Sequence, residues 1–180
     1  MAHFAEANIP GIVAYSSVAC PFTLENIQAP AKADFQAIFE EHRHRIYSLA
    51  FWMTDNEMTA EEISSRVFLH TFHQQREITG ETIDNTLVQE LRDYTRIGVL
   101  SLDQQPVVST SVAGNTKRIH LERAVVEVPA TERLAFLMHD VEGYDHARIA
   151  RTLGITEEES RKAVFQARLL IRELVAQMIG

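Results

Sequence analysis

The sequence of residues 145–178, DHARIARTLGITEEESRKAVFQARLLIRELVAQM, decides the fold of the second half of the chain. Asp145 is a typical N-cap residue for a short helix, and Gly154 is suited to end that helix. Thr156 and Glu159 have the spacing of a capping box, which opens a second and much longer helix. A short helix, a tight turn containing glycine and a long helix together indicate a helix-turn-helix.

Two more helical segments precede this motif, so residues 117–180 are predicted to form a four-helix domain. Residues 118–128 form the first segment, which Pro129 ends. Residues 132–141 form the second, and Gly143 is placed to be its left-handed C-cap residue.

The first half of the chain shows the same helical period of apolar residues. Residues 34–100 contain three such stretches, the second of which is predicted to begin with a capping box of Thr59 and Glu62. Residues 101–116 are rich in Ser, Thr, Pro and Gly and form a predicted linker, and residues 1–33 form an N-terminal extension. We therefore predict an all-α protein of two small helical domains, the second of which carries the helix-turn-helix.

Composition excludes several classes of protein. The chain is 46% apolar with 7 Gly and 5 Pro among 180 residues, which fits a packed core and not a disordered chain. No uninterrupted apolar stretch reaches the roughly 18 residues of a membrane span, and the apolar patch at residues 12–20 has no Lys or Arg before it. The single cysteine, Cys20, fits a reducing compartment. We expect a cytoplasmic protein that does not associate with membranes.

Sequence patterns for catalysis and for cofactors are missing. The chain has no Gly-rich phosphate loop, no dinucleotide fingerprint and no supported Ser–His–Asp set. His70 and His73 have a spacing compatible with metal ligation, but no Cys or third His stands at ligand spacing. We expect no enzymatic activity, no cofactor and no metal.

Both halves of the chain carry residues that match one protein family in the same order. In the second half these are Pro129, Arg133, Asp140-x-Glu142-Gly143-Tyr144, Ile149-Ala150, Leu153-Gly154-Ile155 and Ala167-Arg168. In the first half they are Arg45-Ile46-Tyr47, Ala50, Met53-Thr54-Asp55, Ala60-Glu61-Glu62-Ile63 and Val67-Phe68. The second half resembles the −35-reading domain of extracytoplasmic-function sigma factors, and the first half resembles their core-polymerase and −10 domain.

The resemblance implies a dissociable subunit that binds core RNA polymerase and directs it to promoter DNA. It assigns polymerase binding to an acidic edge on the first domain, formed by Asp55, Glu57, Glu61 and Glu62, with Asp55, Glu61 and Glu62 as the binding residues. It assigns DNA binding to the long helix, through Arg161, Lys162, Phe165, Gln166 and Arg168. Arg, Lys and Gln are side chains that read base edges in the major groove. The alternative for both sets is an ordinary solvated charged surface.

Charge supports a second hypothesis. The net charge is −8, and residues 34–100 carry 12 acidic residues against 6 Arg, whereas residues 117–180 are neutral overall. Three glutamates, Glu157 to Glu159, occupy the first turn of the long helix, where they stabilise the helix start but oppose phosphate. These features favour a sigma-like mimic or adaptor that binds an anti-sigma factor without reading DNA.

A third hypothesis is a helix-turn-helix transcriptional repressor. It explains the second half but leaves the matches in residues 35–72 unexplained, and such a repressor would ordinarily be a dimer.

The domain division makes a direct prediction. Residues 101–116 offer little apolar surface to bury, so limited proteolysis should cut there first and leave two helical fragments. Mass spectrometry of the early fragments checks this. First cuts inside residues 121–174 with the linker intact would contradict the division.

Overall fold

The computed structural model describes residues 29–73, 78–102 and 116–179. Within these ranges the chain forms helices only, which confirms the predicted all-α class. They are α1 (Ala29–Thr54), α2 (Glu57–His73), α3 (Gly80–Arg92), α4 (Arg118–Glu127), α5 (Ala130–Phe136, continued by a π-helical turn, Leu137–Val141), α6 (His146–Leu153) and α7 (Glu157–Ile179). Residues 1–28 of the predicted extension and residues 103–115 of the predicted linker lie outside these ranges.

A tight corner joins α1 to α2. Asp55 has a φ of 51°, a left-handed conformation that ends α1 and that Asp tolerates better than most residues. The side chain of Asn56 then accepts a hydrogen bond from the backbone N–H of Thr59 at 3.0 Å, so Asn56 caps α2. The predicted capping box of Thr59 and Glu62 was wrong. Because α2 begins at Glu57, Thr59 lies inside the helix and Asn56 is the N-cap residue.

The two halves of the chain pack against each other. Buried residues of α1, α2 and α3 belong to the same apolar cluster as those of α4 to α7. In the first half α1 packs along α2 and α3; in the second, α7 packs against α4, α5 and α6, and α3 contacts α6 across the two halves.

Polar contacts also tie the halves together. Arg133 at the start of α5 donates to the carbonyl of Trp52 in α1 at 3.1 Å. The buried carboxylate of Glu132 accepts from the backbone N–H groups of Ser101 and Leu102, at 2.5 and 2.7 Å. The chain is therefore held to α5 at the point where the predicted linker begins, and the domain boundary itself stays a prediction.

The shared core gives a stability prediction. Leu134 in α5 is fully buried, whereas Leu121 in α4 is 45% exposed. Leu134→Ala should lower the free energy of unfolding by about 2–5 kcal/mol, because it removes buried methyl groups and leaves a cavity. Leu121→Ala, the same substitution at an exposed site, should change it by less than about 1 kcal/mol. Urea unfolding followed by circular dichroism measures both; equal effects would contradict this placement of the core.

Candidate nucleic-acid interface

The helix-turn-helix is formed by α6, a tight turn and α7. Asp145 caps α6 by accepting a hydrogen bond from the N–H of Arg148 at 2.7 Å. Gly154 ends α6 in the left-handed conformation, with a φ of 74°. Buried Leu153 lies in the same core as Val164 of α7, which fixes the long helix against the short one. The predicted cap and glycine turn are both confirmed.

The first turn of α7 is fixed by its own capping box. The Glu159 carboxylate accepts from the N–H of Thr156 at 2.7 Å and from its hydroxyl at 2.9 Å, while the Thr156 hydroxyl accepts from the N–H of Glu159 at 3.1 Å. The hydrogen bonds from Thr156 lower the pKa of Glu159, so this carboxylate is charged at neutral pH. Glu159 therefore has a structural task in the capping box, in which Glu158 takes no part.

The outer face of α7 brings three of the predicted DNA-binding residues together. Arg161, Lys162 and Phe165 line a shallow concavity with Thr156, Glu158 and Glu159. The ring of Phe165 is 55% exposed, which is unusual for a large apolar side chain. Arg161 also pairs with Glu157 one turn earlier, at 2.9 Å, but such exposed pairs are weak and screened by salt.

Two of the predicted residues lie elsewhere. Gln166 is only 7% exposed, so it does not belong to the outer face. Arg168 is exposed, but it binds the carboxylate of Asp140 through both Nε and Nη2, with a distance of 2.8 Å for Nε. Arg168 thus fastens α7 to the end of α5.

In the first half, the predicted polymerase-binding residues are all exposed. Asp55 lies in the corner before α2, and Glu61 and Glu62 lie on α2. Glu61 also borders a groove of about 840 Å³ between α1 and α2, and Glu62 pairs with Arg66 at 3.6 Å. The groove is lined with aromatic rings, those of Phe35, Phe39, Tyr47, Phe68 and Phe72. The sequence analysis did not identify this apolar groove next to the acidic edge.

Comparison with known proteins supports the resemblance described above. Residues 118–171 match the family model of sigma-70, region 4. The ECF RNA polymerase sigma factor SigE of Mycolicibacterium smegmatis is 22% identical over 163 residues, which cover 82% of this chain and 63% of that protein. Both comparisons support a relationship of this chain to the ECF sigma factors.

The region 4 match begins with α4 and contains α6, the turn and α7 as far as Ile171. None of the helices in the described residues is long and apolar enough to cross a bilayer. In the same part of the chain no three His, Cys, Asp or Glu side chains are grouped as metal ligands. Of the two histidines considered above, His70 hydrogen-bonds to the carboxylate of Glu90 at 2.6 Å.

The Asp140–Arg168 pair predicts a pH dependence of stability. The hydrogen bond from Arg168 lowers the pKa of Asp140 below its ordinary 3.8. The pair therefore stabilises the folded state above pH 3.8, and this contribution disappears as the pH falls through the lowered pKa. Asp140→Asn should be less stable than the parent chain at about pH 6, and the gap should close towards about pH 3.

Urea unfolding at a series of pH values measures this gap. Arg168→Ala serves as the matched variant, because it removes the donor and should abolish the same pH dependence. A gap that stays constant down to about pH 3 would assign the effect of Asp140→Asn to packing and not to the ion pair.

Proposed function

We propose that this protein is an ECF sigma factor that binds core RNA polymerase and directs promoter-specific transcription initiation, with α7 reading promoter DNA. The supporting observation is the outer face of α7, where Arg161, Lys162 and Phe165 are exposed together on a helix that the motif core holds rigidly. Its place of action would be the cytoplasm, where RNA polymerase works.

The geometry of α7 suits a major groove. A groove of B-DNA admits one α-helix, and the second helix of a helix-turn-helix enters it with its N-terminal residues towards the bases. Arg161 and Lys162 lie in the second turn of α7, within reach of base edges and phosphates in that orientation. Phe165, one turn further, offers an apolar surface for a thymine methyl group.

The glutamates of the first turn set the selectivity of this surface. Glu159 is held by the capping box, and Glu157 is held by Arg161, so both are directed along the helix. Glu158 takes part in neither contact. Its carboxylate would repel a phosphate group or accept a hydrogen bond from the N4 amino group of cytosine. We infer weak but selective binding of the isolated subunit.

In the first half, we propose that core RNA polymerase docks on the acidic edge and the neighbouring aromatic groove. Charge at Glu61 and Glu62 would guide the encounter, because exposed charges act mainly on the rate of association. The aromatic rings of the groove would provide the apolar contact area. Among them, the ring centroids of Phe39 and Phe68 lie 4.9 Å apart. An edge of charge beside an apolar centre is the usual anatomy of a protein interface.

A sigma-like mimic that binds an anti-sigma factor without reading DNA is the second candidate. The acidic first turn of α7 favours it, since all three glutamates are exposed on the surface that would face phosphate. The two functions differ in what the exposed cations of α7 do, and this can be measured.

Substitutions on α7 test DNA reading in the full chain. If Lys162 contacts phosphate, Lys162→Ala should weaken binding to all duplexes and lower the salt slope by about 0.9, because one fewer counterion is released. If Arg161 contacts a base edge, Arg161→Ala should relax the preference at one position by about 1–3 kcal/mol. Glu158→Gln should raise affinity for all duplexes. Selection from a random duplex pool, followed by fluorescence anisotropy, gives these values.

The matched control for these variants is Arg118→Ala on α4, whose side chain is 88% exposed and does not line the concavity on α7. It removes the same charge and should leave binding nearly unchanged. Enrichment of no sequence at about 50 mM salt, where phosphate contacts are strongest, would reject promoter reading and leave the mimic.

Co-purification with core RNA polymerase and run-off transcription test the other half. Glu61→Lys should weaken polymerase binding, and more so at low salt, because screening is slight there. Glu127→Lys on α4 makes the same change in net charge outside the acidic edge and serves as the control. Equal binding of both variants would remove the acidic edge from the interface and leave the aromatic groove.

A further inference from the structure

A buried carboxylate lies where α3 of the first half meets α6 of the second. Asp84 is fully buried and accepts hydrogen bonds from Arg148 of α6 at 2.5 Å and from the hydroxyl of Tyr144 at 3.1 Å. Arg45 of α1 donates to the same carboxylate at 2.6 Å. Two of the three donors of Asp84 thus come from the helix-turn-helix half.

The contact between α3 and α6 continues on both sides of Asp84. Glu81, one turn earlier on α3, accepts from Arg151, one turn later on α6, at 3.1 Å. At the other end, Arg92 of α3 donates to the carbonyl of Leu153, the last residue of α6, at 3.1 Å. These contacts run along most of the length of α6.

Gly80, at the start of α3, lies close to the side chain of Arg148. A Cβ atom at Gly80 would lie 3.3 Å from Nη2 of Arg148, which is tighter than an ordinary contact. The absence of a side chain therefore leaves room for the Arg148 guanidinium to reach Asp84.

In a helix-turn-helix, the first helix crosses the DNA backbone while the second enters the groove. Arg148 and Arg151 are the two arginines of α6, and guanidinium groups on such a helix bind phosphate oxygens. Both arginines instead bind carboxylates of α3, which offer the same charge and the same paired oxygens as a phosphate. DNA that approached α6 in this arrangement would also meet the acidic surface of α3.

We propose that Arg148 and Arg151 form a phosphate-binding surface for duplex DNA, and that Asp84 and Glu81 of α3 occupy it as an intramolecular phosphate mimic. Binding of DNA along α6 then requires the helix-turn-helix to separate from α3. This inference rests on the proposed promoter binding, because it assigns a second contact surface and its masking to the same motif.

A cross-link between the two helices tests the masking in the full chain. In a Cys20→Ser background, Glu81→Cys and Arg151→Cys are joined with a short bis-maleimide, and the uncross-linked arm has both thiols capped with N-ethylmaleimide. Both arms lack the same two side chains and differ only in whether α6 can leave α3. We expect the cross-linked arm to bind a duplex pool at least about tenfold more weakly at low salt, where phosphate contacts dominate.

The control cross-link joins Arg66→Cys and Asp93→Cys, an ion pair at 3.5 Å that connects α2 to the end of α3 within the first half. It should leave DNA binding unchanged. Glu81→Gln alone should raise DNA affinity by about 1.4-fold to fivefold, because an exposed pair contributes about 0.2–1 kcal/mol. Glu41→Gln, which removes one exposed acid from α1, should have no effect.

Each outcome decides between the two proposals. Equal, measurable DNA binding in the cross-linked and capped arms would overturn the masking and leave promoter reading intact. Absence of DNA binding in both arms and in the parent chain would overturn promoter reading and the masking together. Weak binding in the cross-linked arm alone, with full binding in the α2–α3 control, supports the masking.

Discussion

The carboxylate of Asp84 is the interaction on which the arrangement of the two halves depends. It is fully buried, and it joins α1, α3 and α6 through Arg45 and Arg148. Burial raises the pKa of Asp84, and the guanidinium groups of Arg45 and Arg148 lower it. The charged carboxylate is therefore stable in the core only while both cations stay in place. Removing one partner of such a buried pair typically costs about 3–5 kcal/mol, because the remaining charge is left without compensation.

Tyr144 completes the cluster from the side of the helix-turn-helix. Its hydroxyl donates to Asp84, and the guanidinium group of Arg148 lies 3.9 Å from the centre of its ring. Tyr144 follows Gly143, whose left-handed φ of 73° ends the π-helical turn after α5. The turn that closes α5 therefore also positions the ring that the two arginines need. This geometry links local helix termination to the contact between the halves.

Most of the exposed arginines of this protein are paired with carboxylates. Arg161 pairs with Glu157, Arg168 with Asp140, Arg151 with Glu81, and Arg66 with Glu90. The net charge of −8 is consequently not a measure of what α7 presents to a nucleic acid. Binding to a nucleic acid depends on which arginines can leave their carboxylate partner and bind a phosphate group. Exposed pairs can separate easily, because each contributes only about 0.2–1 kcal/mol to stability.

The sequence by itself determined the elements that depend on local chemistry. The cap at Asp145, the glycine turn at Gly154 and the capping box of Thr156 and Glu159 each involve residues at most a few positions apart, so their spacing was sufficient. Helix period and family resemblance together gave the all-α fold and the helix-turn-helix. The prediction for the start of α2 was wrong because Thr59 and Asn56 are both suitable N-cap residues. The corner at Asp55 selects Asn56.

Tertiary structure decided which side of α7 is free and what its cations bind. Gln166 and Phe165 are neighbours in sequence, but a rotation of about 100° per residue buries one and exposes the other, and the helical period does not fix that rotation for a polar residue. Arg168 and Asp140 are 28 residues apart, and Asp84 and Arg148 are 64 apart. Pairs at such separations follow from the packing of α3, α5, α6 and α7, because no spacing rule along the chain connects residues that only the folded core brings together.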